Sequence, residues 1–115
     1  MVSLKASVLT ALSFVALSTA TCSYSNQGNH YELYVFNGVD CSGTDFQYLY
    51  GSKCECRNLN SQMEDNVYSF AYTASTGVNV YTEYDCTGVS VGESGGDWLD
   101  RETIHRNIKS FWLGC

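Results

Sequence analysis

The sequence predicts an all-β, disulfide-stapled domain, on three observations: short aromatic runs separated by turn residues, six cysteines, and an internal repeat. Nine tyrosines and no proline favour pleated strands over helices or a disordered tail, because aromatic and β-branched side chains pack well on a half-buried sheet.

Taken in order, residues 1–20 read as a leader rather than part of the domain. Met1–Lys5 carries one positive charge, Ala6–Leu17 is uncharged and mostly apolar, and Ser18-Thr19-Ala20 supplies the small residues of a signal-peptidase site. The apolar run falls short of the roughly 20 residues needed to cross a bilayer. A cleaved signal peptide, a secreted extracellular product and no membrane span are therefore expected. Residues 21–30 form a polar N-terminal arm whose visible anchor is Cys22.

Five strands follow from the aromatic and β-branched runs Tyr31–Phe36, Phe46–Tyr50, Val67–Tyr72, Val78–Tyr81 and Ile108–Leu113. Turn signals such as Asn37-Gly38, Ser42-Gly43, Gly51-Ser52, Thr76-Gly77 and Gly95-Gly96-Asp97 bound them. Asp97–His105 is the one stretch with room for a helical turn or two.

Losing residues 1–20 removes Lys5, so 5 basic residues face 12 acidic ones and the net charge becomes −7. That balance argues against nucleic acid and anionic membrane as partners. Cys22, Cys41, Cys54, Cys56, Cys86 and Cys115 all follow the cleavage site. A domain this small buries a limited core, and secreted domains supplement it with cross-links worth roughly 2–4 kcal/mol each. Three disulfides are expected, of open connectivity, but not Cys54 with Cys56, which are too close along a stiff strand. The Cys-x-Cys spacing and the isolated His30 and His105 argue against a zinc site.

The repeat is the most informative feature. Val35-Phe36-Asn-Gly-Val-Asp40-Cys41-Ser42-Gly43 aligns with Val80-Tyr81-Thr-Glu-Tyr-Asp85-Cys86-Thr87-Gly88 at an offset of 45. Asn66-Val67-Tyr68-Ser69-Phe70 aligns with Asn107-Ile108-Lys109-Ser110-Phe111 at an offset of 41. A surface loop absorbs the four-residue difference. Gly43 and Gly88 sit where a folded-over turn demands positive φ, which glycine adopts without steric cost.

These segments resemble the paired Greek-key motifs of βγ-crystallins. Phe36–Gly43 and Tyr81–Gly88 match the opening aromatic hairpin, and Asp65–Phe70 and Arg106–Phe111 resemble the closing (Asn/Asp)-(Asn/Asp)-x-x-(Ser/Thr)-Ser. Cys41 and Cys86 stand where the family has an aromatic, and Phe70 and Phe111 where it ends in Ser. The resemblance implies two Greek keys forming a two-sheet βγ-crystallin-like wedge over residues 31–115, with one motif at about 31–73 and the other at about 77–115. It also implies calcium, with Asp65, Asn66, Ser69, Asn107 and Ser110 as oxygen ligands. Arg106, a cation at a ligand position, weakens any such site. The competing role for the Asn and Ser residues is to tie turns to strand ends by hydrogen bonds.

Catalysis finds little support, so no enzyme is expected. Asp97, Asp100 and Glu102 gather near His105, but acidic turn residues ordinarily form a solvated face, and no Ser carries a nucleophile motif. Phe46, Tyr48 and Tyr50 share one strand face, with Gln47 and Leu49 on the other; the rings either form a contact stripe or close the wedge. No Asn-x-(Ser/Thr) sequon occurs.

Microbial members of the resembling family include killer-toxin-like antimicrobial proteins and a metalloproteinase inhibitor. The resemblance thus implies a small secreted binding protein, fungal in source, acting as an antimicrobial, toxin or host-directed effector on an extracellular protein or cell-surface component. Alternatives are a protease inhibitor using the Gly51–Asn60 loop and a calcium-stabilised structural module. A monomer is expected in each case.

Overall fold

The computed structural model describes Cys22, residues 24–104 and residues 106–115. The expected signal peptide and His105 lie outside the described residues. Eight strands follow one another: β1 (Tyr31–Gly38), β2 (Ser42–Gly51), β3 (Glu55–Asn58), β4 (Ser69–Thr73), β5 (Val78–Tyr81), β6 (Ser90–Ser94), β7 (Trp98–Asp100) and β8 (Ser110–Leu113). They form two antiparallel four-stranded sheets, ordered β2-β1-β4-β7 and β3-β8-β5-β6. The third strand of each motif, β3 or β7, thus joins the sheet built by the other motif.

The five strands expected from aromatic runs are present. β3, β6 and β7 were not legible, because they are short edge strands carrying charges, half-cystines or glycine rather than a bulky apolar run. The helical expectation for Asp97–His105 is corrected: Trp98–Asp100 is a strand paired with Phe70–Tyr72. Trp98 turns its ring inward, edge-on to Phe70 with centroids 4.8 Å apart, and that burial outweighs any local helical preference. The one helical element among the described residues is a single 3-10 turn at Tyr84–Cys86.

The core lies between the sheets and repeats with the sequence. Leu33 and Val35 of β1 match Val78 and Val80 of β5, while Val67, Phe70 and Tyr72 match Ile108, Phe111 and Leu113; all are buried. Phe70 and Phe111, the residues that depart from the family pattern, meet edge to face at 5.7 Å in the middle of this core. Such a pair contributes about 0.5–1.5 kcal/mol beyond the area it buries.

Each motif is closed by one folded-over hairpin. Asp40 and Cys41 have φ of 55° and 56°, Asp85 and Cys86 have φ of 59° and 55°, and Gly43 and Gly88 have φ of 119° and 82°. The left-handed region costs a non-glycine residue about 1–2 kcal/mol, so something must hold these turns. A buried serine does. Ser69 Oγ donates to Gly38 C=O at 2.6 Å and accepts from Cys41 N–H at 2.9 Å. Ser110 Oγ donates to Glu83 C=O at 2.5 Å and accepts from Cys86 N–H at 3.0 Å.

The exchanged strands brace the same hairpins from the other side. Asn58 at the end of β3 exchanges two hydrogen bonds with Asp85, at 2.8 and 3.0 Å. Beyond β7, Arg101 C=O accepts from Asp40 N–H at 2.7 Å. Removing either serine hydroxyl leaves a hairpin carbonyl and a hairpin amide, at least partly shielded from water, without that partner. Ser69→Ala and Ser110→Ala are each expected to lose about 1–3 kcal/mol in urea unfolding, whereas Ala at the exposed Asn107 should change stability by less than about 0.5 kcal/mol.

Candidate functional site

The two outer faces of the wedge differ. Along β1 the core takes Leu33 and Val35, so Glu32, Tyr34 and Phe36 point out. Along β2 it takes Leu49, so Phe46, Tyr48 and Tyr50 point out. The rings form a stack across the strands: Tyr34 on Tyr48 at 4.5 Å, Tyr48 on Tyr50 at 5.1 Å and Phe36 on Phe46 at 6.0 Å. Phe46 is 61% exposed and Tyr50 55%. Phe46, Tyr48 and Tyr50 therefore form an aromatic stripe on the outer face and do not close the wedge.

The N-terminal arm extends this stack. Cys22 bonds to Cys41, and Tyr24 stacks on Tyr34 at 4.3 Å. Asn26 Nδ2 donates to Thr73 C=O at 2.9 Å. Glu32, only 1% exposed, accepts from Gln27 N–H at 2.9 Å and from Asn29 Nδ2 at 2.8 Å. The arm is thus held by far more than Cys22, the one anchor visible in the sequence. A glutamate inside the aromatic run Tyr31–Phe36 was the available signal: a carboxyl there needs donors brought from elsewhere.

On the opposite sheet the equivalent half-cystine, Cys86, bonds instead to Cys56 of β3. The third bridge joins Cys54 to Cys115, so all six cysteines are paired within the chain. By the repeat, Trp112 on β8 corresponds to Ala71 on β4. The small Ala71 leaves room for Cys22 and Phe36 to pack over it, which the indole of Trp112 denies on the second sheet.

The residues that the resemblance offers to calcium are brought into two adjacent segments. Asp65 N–H donates to Ile108 C=O at 3.0 Å, so the closing segments run side by side. The oxygens of Asp65, Ser69 and Ser110 have other partners. Asp65 pairs with Lys109 Nζ at 2.6 Å, raising the lysine pKa, while the hydroxyls of Ser69 and Ser110 hold the hairpins. Asn66 Nδ2 donates to Gln62 C=O at 3.3 Å, and Asn107 is exposed. Arg106 lies over the Tyr68 ring at 3.9 Å. Taking Asp65, Ser69 or Ser110 as calcium ligands would cost bonds that hold the fold.

Asp97, Asp100 and Glu102 line the β7 edge. Asp97 Oδ1 accepts from Ala74 N–H at 2.8 Å, and Asp100 Oδ1 accepts from Glu102 N–H at 3.3 Å; the expected neighbour His105 lies outside the described residues. Four of the ten residues of the Gly51–Asn60 loop, Glu55–Asn58, are strand β3. Within it Arg57 donates to Tyr31 Oη at 2.9 Å and to Tyr50 C=O at 3.1 Å, and Tyr31 donates to Glu55 at 2.6 Å.

No known protein-family model matches the chain, and neither does any curated protein. Among solved structures, a βγ-crystallin from Ciona intestinalis superposes with a TM-score of 0.53 at 14% sequence identity, covering 71% of this chain and 98% of that one. At this identity the likeness establishes the fold: a βγ-crystallin-like pair of Greek-key motifs. Three disulfides point to an oxidising, extracellular setting.

Two tyrosines carry a pH signature. Tyr31 is pushed up to about 12 by burial first and then by its bond to Glu55, with Arg57 pulling the other way. Tyr48 is pushed up to about 12 by burial, Glu32 and Tyr34. A raised value in the fold means that the neutral phenol is favoured there. Its contribution is whole below pH 10 and disappears as pH climbs through about 12. Phenolate absorbance should show these two rings ionising after ordinary tyrosines, and the melting temperature should fall over the same interval. Adding millimolar calcium is expected to leave the melting temperature unchanged, both in the parent and in Arg106→Asp.

Proposed function

We propose that this βγ-crystallin-like fold serves a secreted, non-enzymatic binding protein of fungal origin, an antimicrobial, toxin or host-directed effector that engages a surface component of another cell. The observation that carries this reading is the outward aromatic stack on the first sheet. Rings at a solvated surface lose the burial that would justify them in the core. Tyrosines have few rotatable bonds, so they contribute contact area at low entropic cost. The arm and its disulfide hold the stack in one arrangement before any partner arrives, which lowers the cost of binding further.

The inhibitor reading gains less, because Arg57 and the rest of β3 are committed to sheet pairing and to Tyr31. The calcium-stabilised reading gains less still, because Asp65, Ser69 and Ser110 already have partners.

The test is binding of labelled mature protein to intact fungal and bacterial cells, with growth followed in parallel. Phe46→Ala with Tyr50→Ala is expected to weaken cell binding at least about tenfold, equivalent to about 1.4 kcal/mol. Because both rings are exposed, unfolding stability should change little. Equal binding by parent and variant, or no binding across a broad panel, would refute the reading.

A further inference from the structure

Beside the aromatic stack lies a groove that the stack alone does not explain. Its floor is β4, whose outward residues Ala71 and Thr73 are small. Tyr24 of the arm forms one wall, and Asp97 and Leu99 at the β7 edge form the other. The main cavity is about 780 Å³ and open to solvent, and one of about 390 Å³ adjoins it, sharing Tyr24, Thr73 and Asp97. The larger volume lies within the roughly 300–1,000 Å³ of small-molecule sites. An open channel, however, suits a chain passing through rather than an enclosed molecule.

The polar groups of the groove are fixed in place with acceptor capacity to spare. Asp97 spends Oδ1 on Ala74 N–H, which leaves Oδ2. Asn29 donates through its backbone N–H to Asn26 and through Nδ2 to Glu32, which leaves its side-chain carbonyl. His30 Nε2 lies 2.8 Å from Gly114 C=O; as the donor there, it leaves Nδ1 as an acceptor. The hydroxyls of Ser25, Thr73 and Ser75 add groups that both donate and accept. No lysine or arginine is among the described residues lining either cavity, so phosphate, sulfate and carboxylate ligands lack a counter-charge. Tyr24 ends the ring stack, with Tyr34 against one face, and lines both cavities.

We infer that this groove binds an uncharged saccharide chain, its hydroxyls donating to Asp97, Asn29 and His30 and a sugar face resting on the Tyr24 ring. The ligand chemistry follows from the match: an acceptor-rich channel without lysine or arginine suits an uncharged ligand dense in O–H donors, and an aromatic wall suits one with an apolar face. This inference rests on the surface-binding reading and names the component recognised. On the opposite sheet Trp112 and the Cys56–Cys86 bridge stand where Ala71 and the arm stand here.

The test titrates the mature protein with laminarihexaose, chitohexaose and mannohexaose, following backbone amide resonances. At least one is expected to shift Asn29, Ala74, Ser75 and Asp97 with a Kd of about 1 mM or tighter. Tyr24→Ala should weaken that binding at least about tenfold. Asp97→Asn keeps the acceptor for Ala74, so it should weaken binding without lowering the melting temperature, and Trp112→Ala should leave it unchanged. The inference is overturned if none of the three hexasaccharides shifts these residues, or if Tyr24→Ala and Asp97→Asn bind as the parent does. Competition for the target cells by the hexasaccharide that shifts these residues separates this result from the broader reading. Cell binding that a saturating excess of it leaves unchanged would overturn the saccharide and leave the surface-binding function standing. Saccharide binding without cell binding would do the reverse.

Discussion

Both motifs depend on a single buried serine hydroxyl that holds a hairpin in a conformation its own backbone disfavours. Ser69 and Ser110 each accept one amide and donate to one carbonyl of a turn whose Asp and Cys occupy left-handed space. The serine belongs to the fourth strand and the turn to the first hairpin, so local strain is balanced only when the whole motif has assembled. A short chain gains cooperativity this way, since neither turn nor strand is stable in its final form alone.

Exchange of the third strands carries the same logic between motifs. β3 and β7 each complete the other motif's sheet, and Asn58 and Arg101 then reach that motif's hairpin. Disulfides reinforce this arrangement from both ends. Closing loops of 19, 30 and 61 residues restricts the unfolded chain by about 3–4 kcal/mol each in a chain-entropy account. Cys56–Cys86 and Cys54–Cys115 tie the second sheet together, while Cys22–Cys41 fixes the arm to the first.

That last bridge is where duplication turns into asymmetry. Cys41 and Cys86 are equivalent in the repeat, yet one holds an arm that exists in one copy and the other holds the exchanged strand. The arm needs a flat, small-residue floor, which Ala71 provides and Trp112 does not. It also needs a partner for its own amides, which Glu32 supplies from beneath. The result is one outer face bearing stacked rings beside a polar groove and another that is tightly bridged. The proposed binding role divides along the same line, with the second sheet as brace and the first as its contact surface.

Much of this was legible without coordinates. Aromatic runs mark β1, β2, β4, β5 and β8 because their side chains must be half buried, and the doubled Asp-Cys-(Ser/Thr)-Gly with its later Ser-Phe marks two copies of one unit. Three edge strands were not legible, because β3, β6 and β7 are strands through their neighbours' hydrogen bonds rather than through their own composition. Trp98 is the clearest case: a tryptophan in the short run Asp97-Trp98-Leu99-Asp100 carries no sheet signal until Phe70 is beside it. The sequence by itself determined the duplicated β-architecture and the need for sulfur cross-links, since these follow from periodicity and from the small core of a short chain. Only the tertiary structure decided which cysteines pair, which side of the Phe46–Tyr48–Tyr50 stripe meets water, and that Glu32 and Tyr24 belong to one surface. Those facts depend on contacts between segments far apart in the chain, and no local pattern encodes which distant partner a side chain will meet.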